Sequence, residues 1–110
     1  MTEIYPDDAV RLAGFEGDAF YMLCTVRDSA NALVDLTGAT IDLVLGTLVE
    51  DTSGVTVTNG NAAGTITVEC TDAAMAAITV GDHDISLRYT LSGKSYTLFT
   101  GTYTAKESVI

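Results

Sequence analysis

Apolar and polar residues alternate along most of this chain with a period of two. Phe20, Met22, Cys24 and Val26 share one side of an extended segment, with Tyr21, Leu23, Thr25 and Arg27 on the other. Ile41, Leu43 and Leu45 oppose Thr40, Asp42 and Val44, and Ile66, Val68 and Cys70 share a side in the same way. Further on, Ile85, Leu87, Tyr89 and Leu91 oppose Asp84, Ser86, Arg88 and Thr90. Successive side chains of a strand point to opposite faces, so this period reads as half-buried β-strands.

Punctuation between the runs supports that reading. Asp28-Ser29-Ala30-Asn31, Asp35-Leu36-Thr37-Gly38, Glu50–Gly54 and Asn59–Gly64 are clusters of turn formers, and Ser92-Gly93-Lys94 is a tight hairpin signal. Strands are expected at Ala9–Ala13, Asp18–Arg27, Ala39–Val49, Val55–Thr58, Thr65–Cys70, the run from Asp84 to Leu91, and Ser95–Ala105, with a brief extended piece at Ala32–Val34. The last strand has an ambiguous phase. Tyr96 and Leu98 fall on one face and Phe99 and Tyr103 on the other, with Gly101 as the expected bulge.

One segment departs from the pattern. Thr71–Ile78 is alanine-rich, with Thr71 placed as an N-cap and Asp72 in the first turn. It predicts a two-turn helix, too short to stand alone, pinned by Met75 and Ile78 across the open end of the β core. The sum is an all-β fold: an antiparallel immunoglobulin-like β-sandwich of about seven strands with one short helical crossing. The 110 residues are expected to form a single domain, 1–110, with an N-terminal arm (1–8) carrying the one proline, Pro6, and a C-terminal tail (106–110).

Composition narrows the function by exclusion. The chain is 47% hydrophobic and 18% charged, a globular balance, yet no apolar run approaches the roughly 20 residues that span a bilayer. The acidic start Met1–Asp8 lacks the basic and apolar regions of a signal peptide, so synthesis in a cytoplasm is expected. Five Lys and Arg against 15 Asp and Glu give a formal charge of −10. That leaves few cations for phosphates, so neither a nucleic acid nor an anionic membrane is an expected partner. The same acids serve solubility.

Candidate chemistry is sparse. Cys24 and Cys70 both fall on the apolar phase of their strands, which reads as two buried thiols or, alternatively, as a disulfide between sheets. Two Cys and one His do not make a structural zinc site. His83 stands between Asp82 and Asp84 at a strand start, and no GxSxG or similar signature places a nucleophile beside it. The acid pairs Asp7-Asp8, Glu50-Asp51 and Asp82/Asp84 lack the spacing of a calcium loop, and no glycine-rich cradle opens a helix. No catalytic residue, metal or cofactor is expected, and the chain reads as a non-enzyme.

The order of signatures does resemble a known family. Gly17–Met22 (G-D-x-F-Y-M) is followed by D-L-T-G-A-T-I at Asp35–Ile41 and G-x-I-x-V at Gly64–Val68. The alanine-rich crossing, G-D-H-D-I-S-L at Gly81–Leu87, L-S-G-K-S-Y-T-L, and G-T-Y-T at Gly101–Thr104 complete it. This pattern is similar to the small immunoglobulin-like β-sandwich modules of tailed-bacteriophage virions, such as the N-terminal domain of phage baseplate upper proteins. His83 departs from it, standing where such modules often carry an aromatic. The resemblance implies a virion structural protein, made in the host cytoplasm: a tail, baseplate or connector component, or a capsid decoration. Its partners would be other virion proteins and copies of itself. A carbohydrate- or host-surface-binding module is the alternative, although the chain has no Trp to stack on sugars.

An assembly part needs apolar side chains outside its core. Tyr21 and Leu23 on the outward phase, Phe99 or Tyr103 on the last strand, Ile4 and Tyr5 in the arm, and Val109 and Ile110 in the tail are the expected interface residues.

Overall fold

The computed structural model describes residues 2–4 and 8–107, with side chains from residue 12 onward. The strands are β1 (Thr2–Ile4), β2 (Asp8–Phe15), β3 (Phe20–Val26), β4 (Thr40–Leu45), β5 (Leu48–Val49), β6 (Val55–Asn59), β7 (Thr65–Cys70), β8 (Gly81–Leu91) and β9 (Lys94–Lys106). They form a four-stranded sheet, β1-β3-β7-β6, and a five-stranded sheet, β2-β9-β8-β4-β5. The central strands are β3-β7-β6 in one sheet and β9-β8-β4 in the other, an all-β sandwich.

Alternation decides what each sheet buries. Met22, Cys24 and Val26 of β3 and Ile66, Val68 and Cys70 of β7 face Leu43, Leu45, Ile85, Leu87 and Tyr89 of the other sheet, all in one buried cluster. Burying such side chains is the main favourable term, roughly 1.5–3 kcal/mol each. Leu36, fully buried, plugs the end of the sandwich that carries the 27–39, 60–64 and 92–93 loops. It is held by a turn in which Ala39 N–H donates to Leu36 O at 2.9 Å, and the Asn59 side-chain amide donates to the same carbonyl at 2.8 Å. The turn read from Asp35-Leu36-Thr37-Gly38 is therefore present, with Gly38 at φ 83°.

The N-terminal segment differs from the expected arm. The backbone of Thr2–Ile4 runs parallel to β3 in register with Cys24–Val26, and Asp8 already opens β2, which runs parallel to β9. Both are edge strands, and an open edge offers unpaired N–H and C=O groups that such a segment satisfies. The sandwich is thus antiparallel throughout except at the two edges where β1 and β2 pair. Residues 5–7 and 108–110, which include Tyr5, Val109 and Ile110, lie outside the described residues, and Ile4 is described by its backbone alone.

Two other expectations are corrected, and one is met. Ala39–Val49 is not one strand: at Gly46 (φ 59°) the chain reverses, and Leu48–Val49 folds back on Val44–Leu45. The brief extended piece at Ala32–Val34 is present as one bridge, Leu33 to Arg27, after a turn in which the Asp28 carboxylate accepts Ala30 N–H and Ala32 N–H. The bulge in β9 is not at Gly101, which pairs regularly with Ile85. Leu87 pairs with Phe99 and Arg88 with Thr97, so Leu98 is the extra residue. Leu98 and Phe99 both lie fully buried, and the phase of the strand changes between them.

The crossing begins as expected and is shorter. The Thr71 hydroxyl accepts Ala74 N–H at 3.1 Å and caps α1 (Asp72–Met75), one turn long. Tighter i to i−3 bonds, Ala77 N–H to Ala74 O and Ile78 N–H to Met75 O, carry the chain onward. Met75 and Ile78 are buried beneath it and close that end of the core.

Gly64 shows how tightly the opposite end is built. It sits at φ 69°, and a Cβ there would lie 2.9 Å from the Val34 carbonyl oxygen and 3.3 Å from Leu33 Cβ. Its own carbonyl accepts Val26 N–H at 2.7 Å, so it cannot simply move away. Gly64→Ala is expected to destabilise by about 1–3 kcal/mol, measured by urea denaturation. An unchanged midpoint would show that the loop yields instead.

Candidate interaction surface

Nothing among the described residues assembles a reaction centre. His83 is half-buried at the start of β8, and its Nε2 lies 2.6 Å from the Thr79 carbonyl oxygen. A carbonyl only accepts, so Nε2 carries the proton, and the ring ties the crossing to the strand. Nδ1 is the side of the ring turned towards Gly46, where a Cβ would come within 3.2 Å of it. Asp82 accepts a hydrogen bond from the Thr104 hydroxyl at 2.7 Å and so belongs to the sheet surface. No three His, Cys, Asp or Glu side chains converge as a metal cluster among the described residues.

The cysteines resolve by register. Both lie on the inner face of one sheet, where Cys24 pairs with Ile66, four residues along β7 from Cys70. At about 3.4 Å per residue that separates their Cα atoms by roughly 13 Å, and a disulfide needs less than about 7 Å. The thiols are free and buried. Burial pushes Cys24 up to about 11 and raises Cys70 as well.

The expected interface residues divide. Tyr21 stands 63% exposed on the outer face of the four-stranded sheet, opposite Glu69, and Leu23 beside it is half-buried opposite Thr67. Phe99 and Tyr103 are corrected: both are core residues, 0% and 3% exposed. The Leu98 bulge turns this half of β9 inward, and Tyr103 packs edge-on against Phe20 with ring centroids 5.6 Å apart. Gly14 makes room for the Tyr103 hydroxyl, which a Cβ would overlap. Burial, with the nearby Asp18 carboxylate and Cys70 adding to it, holds the Tyr103 phenol above its ordinary value.

Two exposed features lie outside the expected interface residues. The first is the outer face of the five-stranded sheet, where Thr97, Thr100, Thr102 and Thr104 of β9 lie beside Ser86, Arg88 and Val44. A shallow concavity of about 250 Å³ opens there over Asp42, Val44, Ser86, Arg88, Thr97 and Thr100. Arg88 reaches Asp42 across it at 3.1 Å, a solvated pair worth little to stability. The second is the crossing end. Phe15 (50% exposed) is in register with Lys106, and Val80 (52% exposed) immediately precedes Gly81, whose partner is Ala105. Alternation hid the second, because an outward apolar residue at a strand end is indistinguishable from an inward one until the register is known.

No family model matches the chain, and no curated protein matches it. Among solved structures it is similar to the N-terminal domain of phage TP901-1 ORF48, with a TM-score of 0.55 and 14% identity. The likeness covers 96% of this chain and 99% of that one. At such identity it is a likeness of fold.

Proposed function

We propose that the chain is a non-enzymatic structural protein of a tailed-phage virion, a single β-sandwich module acting through contacts with other virion proteins and with copies of itself. A tail, baseplate or connector component, or a capsid decoration, fits this reading. The observation that carries it is the fold likeness to a phage domain along nearly the whole of both chains. The same order of turns and strands underlies the sequence resemblance to phage modules. A core closed at both ends, with exposed Tyr21, Phe15 and Val80 outside it, is consistent with a part that works by its surface.

Probing purified phage particles for this protein tests the reading. It should appear at a fixed copy number per particle and remain after washing; its absence from intact particles would sink the proposal. Charge sets a second expectation. With −10 on each copy, like subunits repel, and screening within about 10 Å at 0.1 M salt relieves this. Self-association, followed by light scattering, should therefore rise with salt. A strictly monomeric protein at every ionic strength would remove self-association from the proposal.

The saccharide-binding alternative has one feature in its favour, the concavity holding Arg88, Asp42 and hydroxyls. Its lining includes no aromatic ring to stack on a sugar. A glycan array separates the two readings.

A further inference from the structure

We infer that the crossing end of the sandwich is a docking surface for a basic protein segment, one that presents an apolar side chain between lysines or arginines. The inference rests on the reading of the chain as part of an assembly and names the chemistry of one neighbour.

Three observations meet there. The first is an exposed apolar pair. Phe15 and Lys106 are register partners on adjacent strands, and Val80 sits just before β8, one strand further on. Phe15 lies one strand spacing from Lys106, and Val80 adjoins Gly81, the partner of Ala105, so both exposed residues sit against the end of β9. Phe15 points outward because Gly14 points inward at Tyr103. The second is a cleft of about 290 Å³ between the turn after β2 and the crossing, lined by Glu16, Gly17, Ala76, Ile78 and Thr79. Its size suits one aliphatic side chain rather than a larger ligand.

The third is charge. Glu16, Asp18, Asp72, Asp82 and Glu107 are exposed on the turn, the crossing and the neighbouring strand ends. Among the described side chains Lys106 is the cation at this end. Arg27 and Lys94 belong to the opposite end, and Arg88 is engaged with Asp42 on the sheet face. An acidic rim around an apolar centre is complementary to a cationic segment with an apolar anchor, and it repels the same end of a second copy.

Titration of the ¹⁵N-labelled full chain with a blocked five-residue peptide, one leucine flanked by two lysines on each side, tests this by amide chemical shifts. Saturable shifts should gather at Gly17, Ala76, Thr79 and Gly81 and fade as salt rises. The Phe15→Ser/Val80→Ser double variant and the Asp18→Asn/Asp82→Asn double variant should each weaken binding about tenfold while melting near wild type. These positions are exposed, so the fold should tolerate them. No saturable shift, shifts elsewhere, equal binding of a peptide with glutamates in place of lysines, or unchanged binding by both variants would overturn the inference. So would self-association that the Phe15→Ser/Val80→Ser variant abolishes, since the occupant would then be a second copy. Peptide binding reads the surface alone, whereas failure of the virion reading shows as absence from particles.

Discussion

Phe99→Ala is expected to destabilise the isolated protein by about 3–5 kcal/mol and to lower its melting temperature by ~15–25 °C. The ring is fully buried where the Leu98 bulge turns β9 inward, opposite Leu87 of β8. Removing it forfeits the transfer energy of the ring and leaves a cavity in a core closed at one end by Met75 and Ile78 and at the other by Leu36. A loss of this size is a large part of the 5–15 kcal/mol that holds a typical domain together. The contrast is Tyr21→Ser, at a ring 63% exposed, which should change the melting temperature by only a few degrees. If Phe99 were an interface residue, the order would invert: Phe99→Ala would spare the monomer and impair assembly alone. Thermal melts of the two variants beside wild type decide between them.

That inversion marks where the sequence stops being sufficient. Alternation in β3, β4, β7 and β8 was legible because each strand keeps one phase throughout, so Met22, Leu43, Val68 and Leu87 could be assigned inward by parity alone. β9 changes phase at one inserted residue, and parity counted from Tyr96 then misplaces Phe99 and Tyr103. The neighbour that fixes the insertion is β8, through a register no local pattern encodes. The turn at Asp35–Gly38 and the cap at Thr71 were legible for the opposite reason: their hydrogen bonds close within a few residues. The N-terminal pairing was not, since nothing in Thr2–Ile4 or Asp8–Phe15 announces which distant strand each segment joins. The exposed pair Phe15 and Val80 becomes a pair only through Lys106 and Ala105 of β9, far from both in sequence.

Stability should fall steeply between pH 9 and pH 11, and Cys24 should account for much of the fall. In the unfolded chain its thiol ionises at the ordinary value of 9.0, while burial in the fold raises it to about 11. Between those values the folded state keeps a proton that the unfolded state has lost, so the contribution is complete below pH 9 and disappears as pH passes 11. A shift of this size corresponds to about 2–3 kcal/mol, or roughly 1.4 kcal/mol per pH unit inside the window. Cys70 and the Tyr89 and Tyr103 phenols are raised by burial too and act in the same direction. Urea denaturation from pH 7 to 11, with reductant present, should show a plateau and then a decline. Cys24→Ala should start lower, because it leaves a small void, but decline less over the same window. Its curve should converge on that of wild type as the pH rises. Parallel curves would show that the Cys24 thiol is not the group being titrated, and would leave the phenols and the growing negative charge as the cause.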